Sequence, residues 1–300
     1  MNKFTVNVCP VCEGREFGHV CTCTDFFVSG EPYELCSCKH CGFVFTQDFP
    51  VQEEIGRYYA SADYVSHSDT RKGLVNFLYH QVRKYMLVQK ARLVGRESRL
   101  RHGRLLDVGT GTGYFPATMV SRGWKAEAIE KDPDAREFAA RAFGMKVREE
   151  EALWQFDPGS FDVITLWHVL EHVEPLNAWM DRLAELLAAE GVLIIAIPNV
   201  SSYDAERYGT HWAAYDVPRH LWHFTPVTIQ ALGARHGLTL TARYPMPFDA
   251  FYVSMLSEKY KGSRFPLWKG VRTGLVAWRS TWSRKDSSSS MIYIFRKKQG

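Results

Sequence analysis

Through the middle of the chain, short apolar runs alternate with amphipathic stretches of helical length. Leu105-Leu106-Asp107-Val108 leads into a glycine-rich loop and then into Phe115 to Arg122, which has a helical pattern. Trp124 to Ile129 predicts a strand, Pro133 to Phe143 a helix, Phe161 to Leu166 a strand, Pro175 to Ala189 a helix, and Val192 to Ile197 a β-branched buried strand. Thr225-Pro226 opens a helix reaching about His236, and Leu238 to Tyr244 and Met291 to Arg296 predict two last strands. This alternation predicts an α/β fold, a doubly wound, mostly parallel sheet with helices on both faces. Upstream, Leu74 to Leu100 reads as a helix with Leu74, Leu78, Val82, Tyr85 and Val88 or Gln89 on one face. Residues 1–48 carry short β-type runs such as Phe43-Val44-Phe45. Residues 49–70 are polar and predict a linker, and Ser287–Ser290 predicts a mobile loop.

At 300 residues, 46% hydrophobic and 23% charged, the chain can bury the core of one large domain with a small appendage. That composition excludes collagen-like, mucin-like and globally disordered chains. No apolar run reaches the roughly 18 residues of a membrane span. Met1-Asn2-Lys3-Phe4 leads into polar sequence, so no secretory signal is expected.

All seven cysteines lie between positions 9 and 41. A disulfide-stapled fold would spread them, and seven is odd, so the clustering predicts a metal site in a cytoplasmic protein. Cys9-Pro-Val-Cys12 and Cys38-Lys-His-Cys41 are two C-x2-C knuckles 25 residues apart. Two thiolates on each tight turn supply a tetrahedral four-sulfur set, the preference of structural zinc with no open position. Cys36 in place of Cys38, or His40 in addition, are alternative ligands, and Cys21 and Cys23 are surplus.

Asp107-Val-Gly109-Thr-Gly111-Thr-Gly113 joins a strand to a helix. Glycines there let the backbone turn tightly and approach a ligand at a helix N-terminus. A dinucleotide loop would need glycine where Tyr114 stands, and Asp107 would repel a pyrophosphate. The acid suits a cationic group such as an amine. Glu130 ends the next strand, 17 residues past Gly113, where an acid can accept both hydroxyls of a ribose. With these residues the chain resembles the class I S-adenosylmethionine-dependent methyltransferases, over about residues 71–245 plus the last strand. Phe161–Leu166 and Gly191–Ile194 match that family's fourth- and fifth-strand motifs. The resemblance implies a Rossmann-like sheet of seven strands and S-adenosylmethionine as cofactor. It places Asp107 near the methionyl amino group and Gly109, Gly111 and Gly113 along the cofactor. One of Glu149, Glu150 and Glu151 would contact adenine, with Glu150 best spaced from Phe161. The implied organisation is a zinc-ribbon-like module at 1–48, a linker at 49–70, and a methyltransferase domain at 71–300 with a helical basic insertion at about 248–285.

Methyl transfer from a sulfonium is an in-line displacement, so positioning contributes much of the rate. Many acceptors also need a base near neutral pKa, which points to histidine. His168 sits at a strand end, where open parallel sheets face their ligand crevice. His168-Val-Leu-Glu171-His172 spells H-x-x-E-H, but at a strand end rather than mid-helix, which argues against a metalloprotease. The stretch also looks like the E-x-x-E-H of quinone-type O-methyltransferases, which bind a divalent ion. His168 replaces the first glutamate, which argues against magnesium here. A second constellation, His211 to Pro226, holds three histidines, an arginine and two tryptophans in one connection. It is similar to P-R-H-L-x-H-F-T segments of bacterial glycan and small-molecule methyltransferases. His220 is the favoured base and Arg219 the partner for an acidic acceptor, while Thr225-Pro226 is also an ordinary helix start. No [DN]-P-P-[YF] follows the fourth strand, against exocyclic base amines, and no cysteine lies beyond 41, against thiolate-adduct chemistry.

The net charge of +4 is a cancellation. Residues 71–104 carry ten Lys/Arg against one acid, residues 259–298 eleven against one, and the remainder sixteen against thirty-one. Phe265 to Arg284 sets Trp268, Val271, Leu275, Trp278 and Trp282 at 3,4,3,4 spacing among basic residues. Such a helix either packs its stripe as a lid over the active site, the plainer reading, or lies weakly on a membrane surface. The expected function is methylation of a small molecule, sugar, glycan or lipid-linked intermediate by a cytoplasmic enzyme, peripheral at the inner membrane surface if the second reading holds. An RNA methyltransferase using the zinc module and basic helix on nucleic acid is the alternative.

Overall fold

The computed structural model describes residues 2–59, 74–284 and 286–298. The N-terminal strands are β1 (Lys3–Phe4), β2 (Phe17–Thr24), β3 (Pro32–Cys38), β4 (Val44–Thr46) and β5 (Phe49–Pro50). Helix α1 (Leu74–Ser98) leads into β6 (Arg104–Val108), α2 (Tyr114–Val120), β7 (Lys125–Ile129), α3 (Pro133–Phe143), β8 (Phe161–Trp167), α4 (Leu176–Leu186) and β9 (Leu187–Pro198). There follow α5 (Tyr203–Tyr208), β10 (Trp222–His223), α6 (Pro226–Arg235), β11 (Leu238–Met246), α7 (Asp249–Tyr260), α8 (Pro266–Ser283) and β12 (Ser290–Lys297).

The large sheet runs β11-β12-β9-β8-β6-β7. Strands β9, β8, β6 and β7 are parallel, and β12 is antiparallel to both its neighbours. Among the described residues it therefore has six strands rather than seven. Beyond β7 the described residues contribute only an isolated bridge from Arg148 to Ile129. Lys146-Val147-Arg148-Glu149-Glu150-Glu151 offers a single apolar side chain, too little to hold a further strand against the helices. Inside the sheet, Leu105, Leu106, Val163, Ile164, Leu193, Ile194 and Ile195 are fully buried, as parallel strands covered on both faces require.

Several boundaries differ from the sequence reading. Helix α4 ends at Leu186, where Leu187 turns extended and pairs with Phe161, so β9 begins five residues earlier than its β-branched run. The buried side chains of α1 include Ala91, Leu93 and Val94, whereas Tyr85 is 52% exposed. The side chains of Leu74 and Leu78 on the expected face, and residues 60–70 of the expected linker, lie outside what the structure describes. The serine run is the opposite of mobile: Ser287 to Ser290 are buried. Asn199 Nδ2 donates to the carbonyls of Asp286 (2.7 Å) and Ser288 (3.0 Å), and Ser289 Oγ donates to Asp204 (2.6 Å). Short side chains allow the backbone there to pack against the sheet end.

The cysteine-bearing module is not a detachable bead. Its four-stranded sheet runs β10-β4-β3-β2, taking its fourth strand from residues 222–223. Phe43, Phe45 and Phe49 share one core with Trp222 and Phe224. Arg219 is 2% exposed and clamps the join. It donates to Asp25 (2.9 Å), to both oxygens of Asp216 (3.0 and 2.6 Å) and to the Tyr58 carbonyl (2.9 Å). An arginine so committed is not free for an acidic acceptor, which corrects that expectation. Arg219→Ala would strand Asp25, whose side chain is fully buried, without its countercharge. The expected loss is about 3–5 kcal/mol of stability, read as a shift of the urea midpoint. A loss below about 1 kcal/mol would show that the clamp contributes little.

The basic insertion is a helical hairpin. A Cβ at Gly270 would lie 2.6 Å from Met255 Cα, and one at Gly274 2.8 Å from Phe251 Cα, so small residues let α8 press against α7. The face packed inward is therefore Gly270, Thr273, Gly274 and Ala277. The apolar stripe faces outward, with Trp268 and Trp282 each 76% exposed. A lid would bury that stripe, and this helix does not.

Candidate active site

The loop after β6 turns on three glycines with φ of +65°, +56° and +79° at Gly109, Gly111 and Gly113, a region that L side chains avoid. Two of them are also forced by packing. A Cβ at Gly109 would lie 2.5 Å from Val169, and one at Gly113 2.8 Å from Ala139, while a Cβ at Gly111 would meet nothing within 4 Å. Gly111 is thus the one that leaves open space for a ligand. Its N–H donates to Glu130 Oε2 (2.6 Å), and Glu130 Oε1 accepts from the Asp132 N–H (2.9 Å), which fixes the carboxylate at the loop mouth.

Asp107 is 1% exposed and accepts from Thr165 Oγ1 at 2.6 Å. Burial pushes its pKa up to about 6, against the pull of neighbouring hydroxyls and of Lys90. A cationic ligand group would relieve that cost. Thr110 Oγ1 is buried in the same loop and is one of the hydroxyls that act on Asp107. A buried acid in need of a cation, open space at Gly111 and a fixed acid at the mouth together fit an aminoacyl nucleoside. Among the three adjacent acids, Glu149 is exposed and paired with Arg136 (3.1 Å), whereas Glu150 is half-buried. Burial raises the Glu150 pKa, and Glu130 is among its charged neighbours.

The acceptor side is built where β8 ends. His168 has φ +61° and donates its N–H to the Ala196 carbonyl at 2.9 Å, aiming the ring across the strand ends. Its Nε2 lies 3.1 Å from Asp249 and its Nδ1 3.4 Å from Glu171. Although burial opposes the charge, these two carboxylates hold the imidazole pKa up to about 10. His168 is therefore a cation at neutral pH, an ion-paired anchor rather than a proton acceptor. Asp249, the first residue of α7, was invisible as a site residue because no spacing rule links it to position 168. Lys90 is likewise new. It lies on α1 with Nζ 4.2 Å from the centre of the Trp167 ring, and it interacts with Asp107 and Asp249. In the sequence it was one cation in a basic run.

His220 joins this group from the connection before β10. Leu221 N–H donates to the Glu171 carbonyl (2.8 Å), and Thr46 N–H donates to the Leu221 carbonyl (2.9 Å), so the cysteine-bearing module and the site share one backbone relay. His220 Nδ1 contacts the Ala214 carbonyl at 2.8 Å and His172 Nδ1 the Arg219 carbonyl at 2.9 Å. A carbonyl only accepts, so both Nδ1 atoms carry hydrogen, and Nε2 is the position left open on each ring; that of His220 lies 3.9 Å from Asp216 Oδ2. The rings meet edge to face at 4.5 Å. Burial and then His220 push His172 down to about 4, leaving it neutral. His223 is buried, with Nε2 3.0 Å from Thr46 Oγ1, and belongs to the join. Glu171, His172 and His220 offer ligand atoms within 4.8 Å of one another. The countercharge for Glu171, however, comes from His168, the residue that replaces a carboxylate in the metal-binding pattern.

The four predicted cysteines come together. Sγ atoms of Cys9 and Cys41 are 3.6 Å apart, those of Cys12 and Cys38 3.5 Å, and all four lie within 4.8 Å. Sulfurs about 2.3 Å from a tetrahedral zinc lie roughly 3.8 Å from each other, so the set fits. Both knuckles are the same turn. Glu13 N–H donates to the Cys9 carbonyl and Gly42 N–H to the Cys38 carbonyl, with φ of +61° and +74° at Glu13 and Gly42.

The model of one family, described as "Methyltransferase domain", matches residues 78–243, more than half of the chain. The chain belongs to this family. Among curated proteins it is similar to the ubiquinone biosynthesis O-methyltransferase of Xanthomonas oryzae pv. oryzae, 30% identical over 135 residues, covering 42% of this chain and 56% of the relative. It is also similar to that of Rhodopseudomonas palustris, 25% identical over 163 residues, covering 49% and 62%. The chain thus spans a little over half the length of the curated relatives it matches. Among solved structures, phosphoethanolamine N-methyltransferase 2 of Haemonchus contortus, in complex with S-adenosyl-L-methionine, aligns with a TM-score of 0.53 at 15% identity. That alignment covers 85% of this chain and 63% of the other. A methyltransferase from Galdieria sulphuraria aligns with a TM-score of 0.50 at 16% identity, covering 71% and 84%. These neighbours share the Rossmann-like methyltransferase fold.

Proposed function

We propose that the chain is an S-adenosylmethionine-dependent methyltransferase acting on a small molecule, a sugar or glycan, or a lipid-linked intermediate. The observation that carries the reading is the mouth between β6 and β7, where buried Asp107, open Gly111 and fixed Glu130 suit the amine, backbone and ribose of one ligand. The bound cofactor would supply an electrophilic methyl group on a sulfonium. Asp107 would hold the amino group, Glu130 the ribose hydroxyls and Glu150 the adenine edge. Lys90, beside Asp107, suits a carboxylate. On the acceptor side, the charged His168 held by Asp249 and Glu171 would orient an anionic or hydroxyl-bearing acceptor. His220 Nε2, with its tautomer fixed by the Ala214 carbonyl, would take the proton. A structural zinc would sit in the Cys9, Cys12, Cys38 and Cys41 set.

A lipid-facing substrate is favoured by α8. Residues 259–284 carry seven Lys/Arg and no acid, and Phe265, Leu267, Trp268 and Trp282 are all more than half exposed. Aromatic residues flanked by cations suit the headgroup layer of an anionic membrane better than the phosphate backbone of RNA. No helix among the described residues is long and apolar enough to cross a membrane, so attachment would be peripheral, at the inner surface. Two assays test the reading. Labelled methyl from S-adenosylmethionine is expected in an organic extract of cells, insensitive to RNase; label in RNA alone would overturn the substrate class. Co-sedimentation with phosphatidylglycerol vesicles is expected to fall severalfold in Trp268→Ala/Trp282→Ala, and no change would remove the membrane from the proposal.

A further inference from the structure

A cavity of about 310 Å³ opens on the α5–α7–α8 side of the molecule, lined by Arg207, Glu258, Lys261, Ser263, Lys269, Arg272 and Thr273. Three elements bring its cations together: Arg207 from α5, Lys261 from the end of α7, and Lys269 with Arg272 from neighbouring turns of α8. The only acid on the wall, Glu258, is 4% exposed and already bonded, accepting from Tyr208 Oη at 3.2 Å and from Ser263 Oγ. None of the four cations takes part in an ion pair among the described residues. The wall therefore carries a net +3. Packing four cations around one concavity against a single carboxylate leaves self-repulsion, which a bound polyanion would remove.

We propose that this cavity is a phosphate-binding site, built for the phosphate or diphosphate of a ligand that the methyltransferase site alone does not account for. Guanidinium groups of Arg207 and Arg272 can each give two parallel N–H bonds to phosphate oxygens, with Lys261 and Lys269 as point charges. The volume exceeds that of a single phosphate and admits a diphosphate with part of the group it carries. Asp249, which pairs with His168, and Lys261 are 12 residues apart along α7 and its cap, or about 18 Å at helical rise. A ligand held here by its phosphate end would need that reach to present its other end at His168. The site therefore serves either a long phosphorylated acceptor or a separate phosphorylated molecule, and both bind through the same chemistry.

The probe is inorganic pyrophosphate, titrated calorimetrically into the full chain. Saturable binding at one site per chain is expected, weakened roughly 100-fold in Lys269→Ala/Arg272→Ala, which removes two charge-assisted partners. The control Arg99→Ala/Arg101→Ala removes the same charge from the opposite basic segment and should leave binding within about twofold. Absence of saturable binding, or equal weakening in both double variants, would overturn the proposal, since the second result means net charge alone. Circular dichroism melts check that the variants fold, independently of any cofactor, so a failed cofactor assignment would not be mistaken for a failed phosphate site. With binding in hand, displacement of pyrophosphate by phosphatidic acid vesicles assigns the phosphate to a lipid headgroup. Displacement by uridine diphosphate, but not by vesicles, assigns it to a soluble ligand; either result supports the site.

Discussion

Replacing Glu130 by alanine is expected to weaken S-adenosylhomocysteine binding by at least about 100-fold. Two ribose hydroxyls donating to one carboxylate each contribute roughly 1.5–3 kcal/mol, the range for hydrogen bonds to a charged group. The variant also frees the Gly111 N–H, which the carboxylate holds at 2.6 Å, so the loop loses its tether along with the ligand. Titration calorimetry on wild type and variant measures this directly. A loss below threefold would take Glu130 out of the ribose site, and with it the main argument for the cofactor. Because Glu130 follows the end of β7, half-buried and outside the core, the melting temperature of the unliganded variant should move by only a few degrees.

The second large effect concerns the four thiolates. One zinc per chain is expected by metal analysis, and Cys9→Ser or Cys38→Ser should reduce it to a small fraction. Zinc contributes on the order of 10–16 kcal/mol to folding in isolated finger peptides. Here the module also has its own aromatic core, so part of the structure should survive without metal. Even a loss of about 4 kcal/mol lowers the thermal midpoint by roughly 10 °C in a domain of this size. The cofactor cleft rests on β6 and β7, which pair within the large sheet and not with the module's strands, so S-adenosylhomocysteine affinity at low temperature should stay within threefold. Methyl transfer should suffer more, because the relay from Thr46 through Leu221 to Glu171 holds the acceptor side. Full metal content with unchanged melting in either serine variant would reject the assignment of ligands.

What the sequence made legible was whatever a short-range rule encodes. The alternation of strands and helices, the glycine loop with its two acids, and the paired knuckles each follow from spacing within a few residues. The parts that were not legible are set by contacts between distant segments. Arg219 looked like a substrate ligand because its side chain could not be seen to meet Asp25, 194 positions earlier. His168 looked like a base until Asp249 supplied the second carboxylate that keeps it charged. The histidine-rich connection offered His220 as base and Arg219 as the partner of an acidic acceptor, yet Arg219, Trp222 and His223 dock the cysteine-bearing module. Of the two directions open to the tryptophan stripe, inward as a lid or outward on a membrane, the inward one fails, because small residues on the other face of α8 decide which side packs. The serine run was misread from composition alone: four short polar side chains serve equally for a mobile loop and for backbone pressed into a tight seam.

The pairing of β4 with β10 has a consequence for the order of folding. Thr46 and His223 meet across 177 positions of chain, and closing a loop of that length costs entropy that local contacts do not repay. The sheet around β6, β8 and β9 assembles from neighbouring segments and should form first. The edge where Phe45 meets Trp222 should close last, so a stalled intermediate would expose an open strand edge beside unsheltered aromatic residues. Recovery from denaturant at high protein concentration should then be limited by aggregation through that edge.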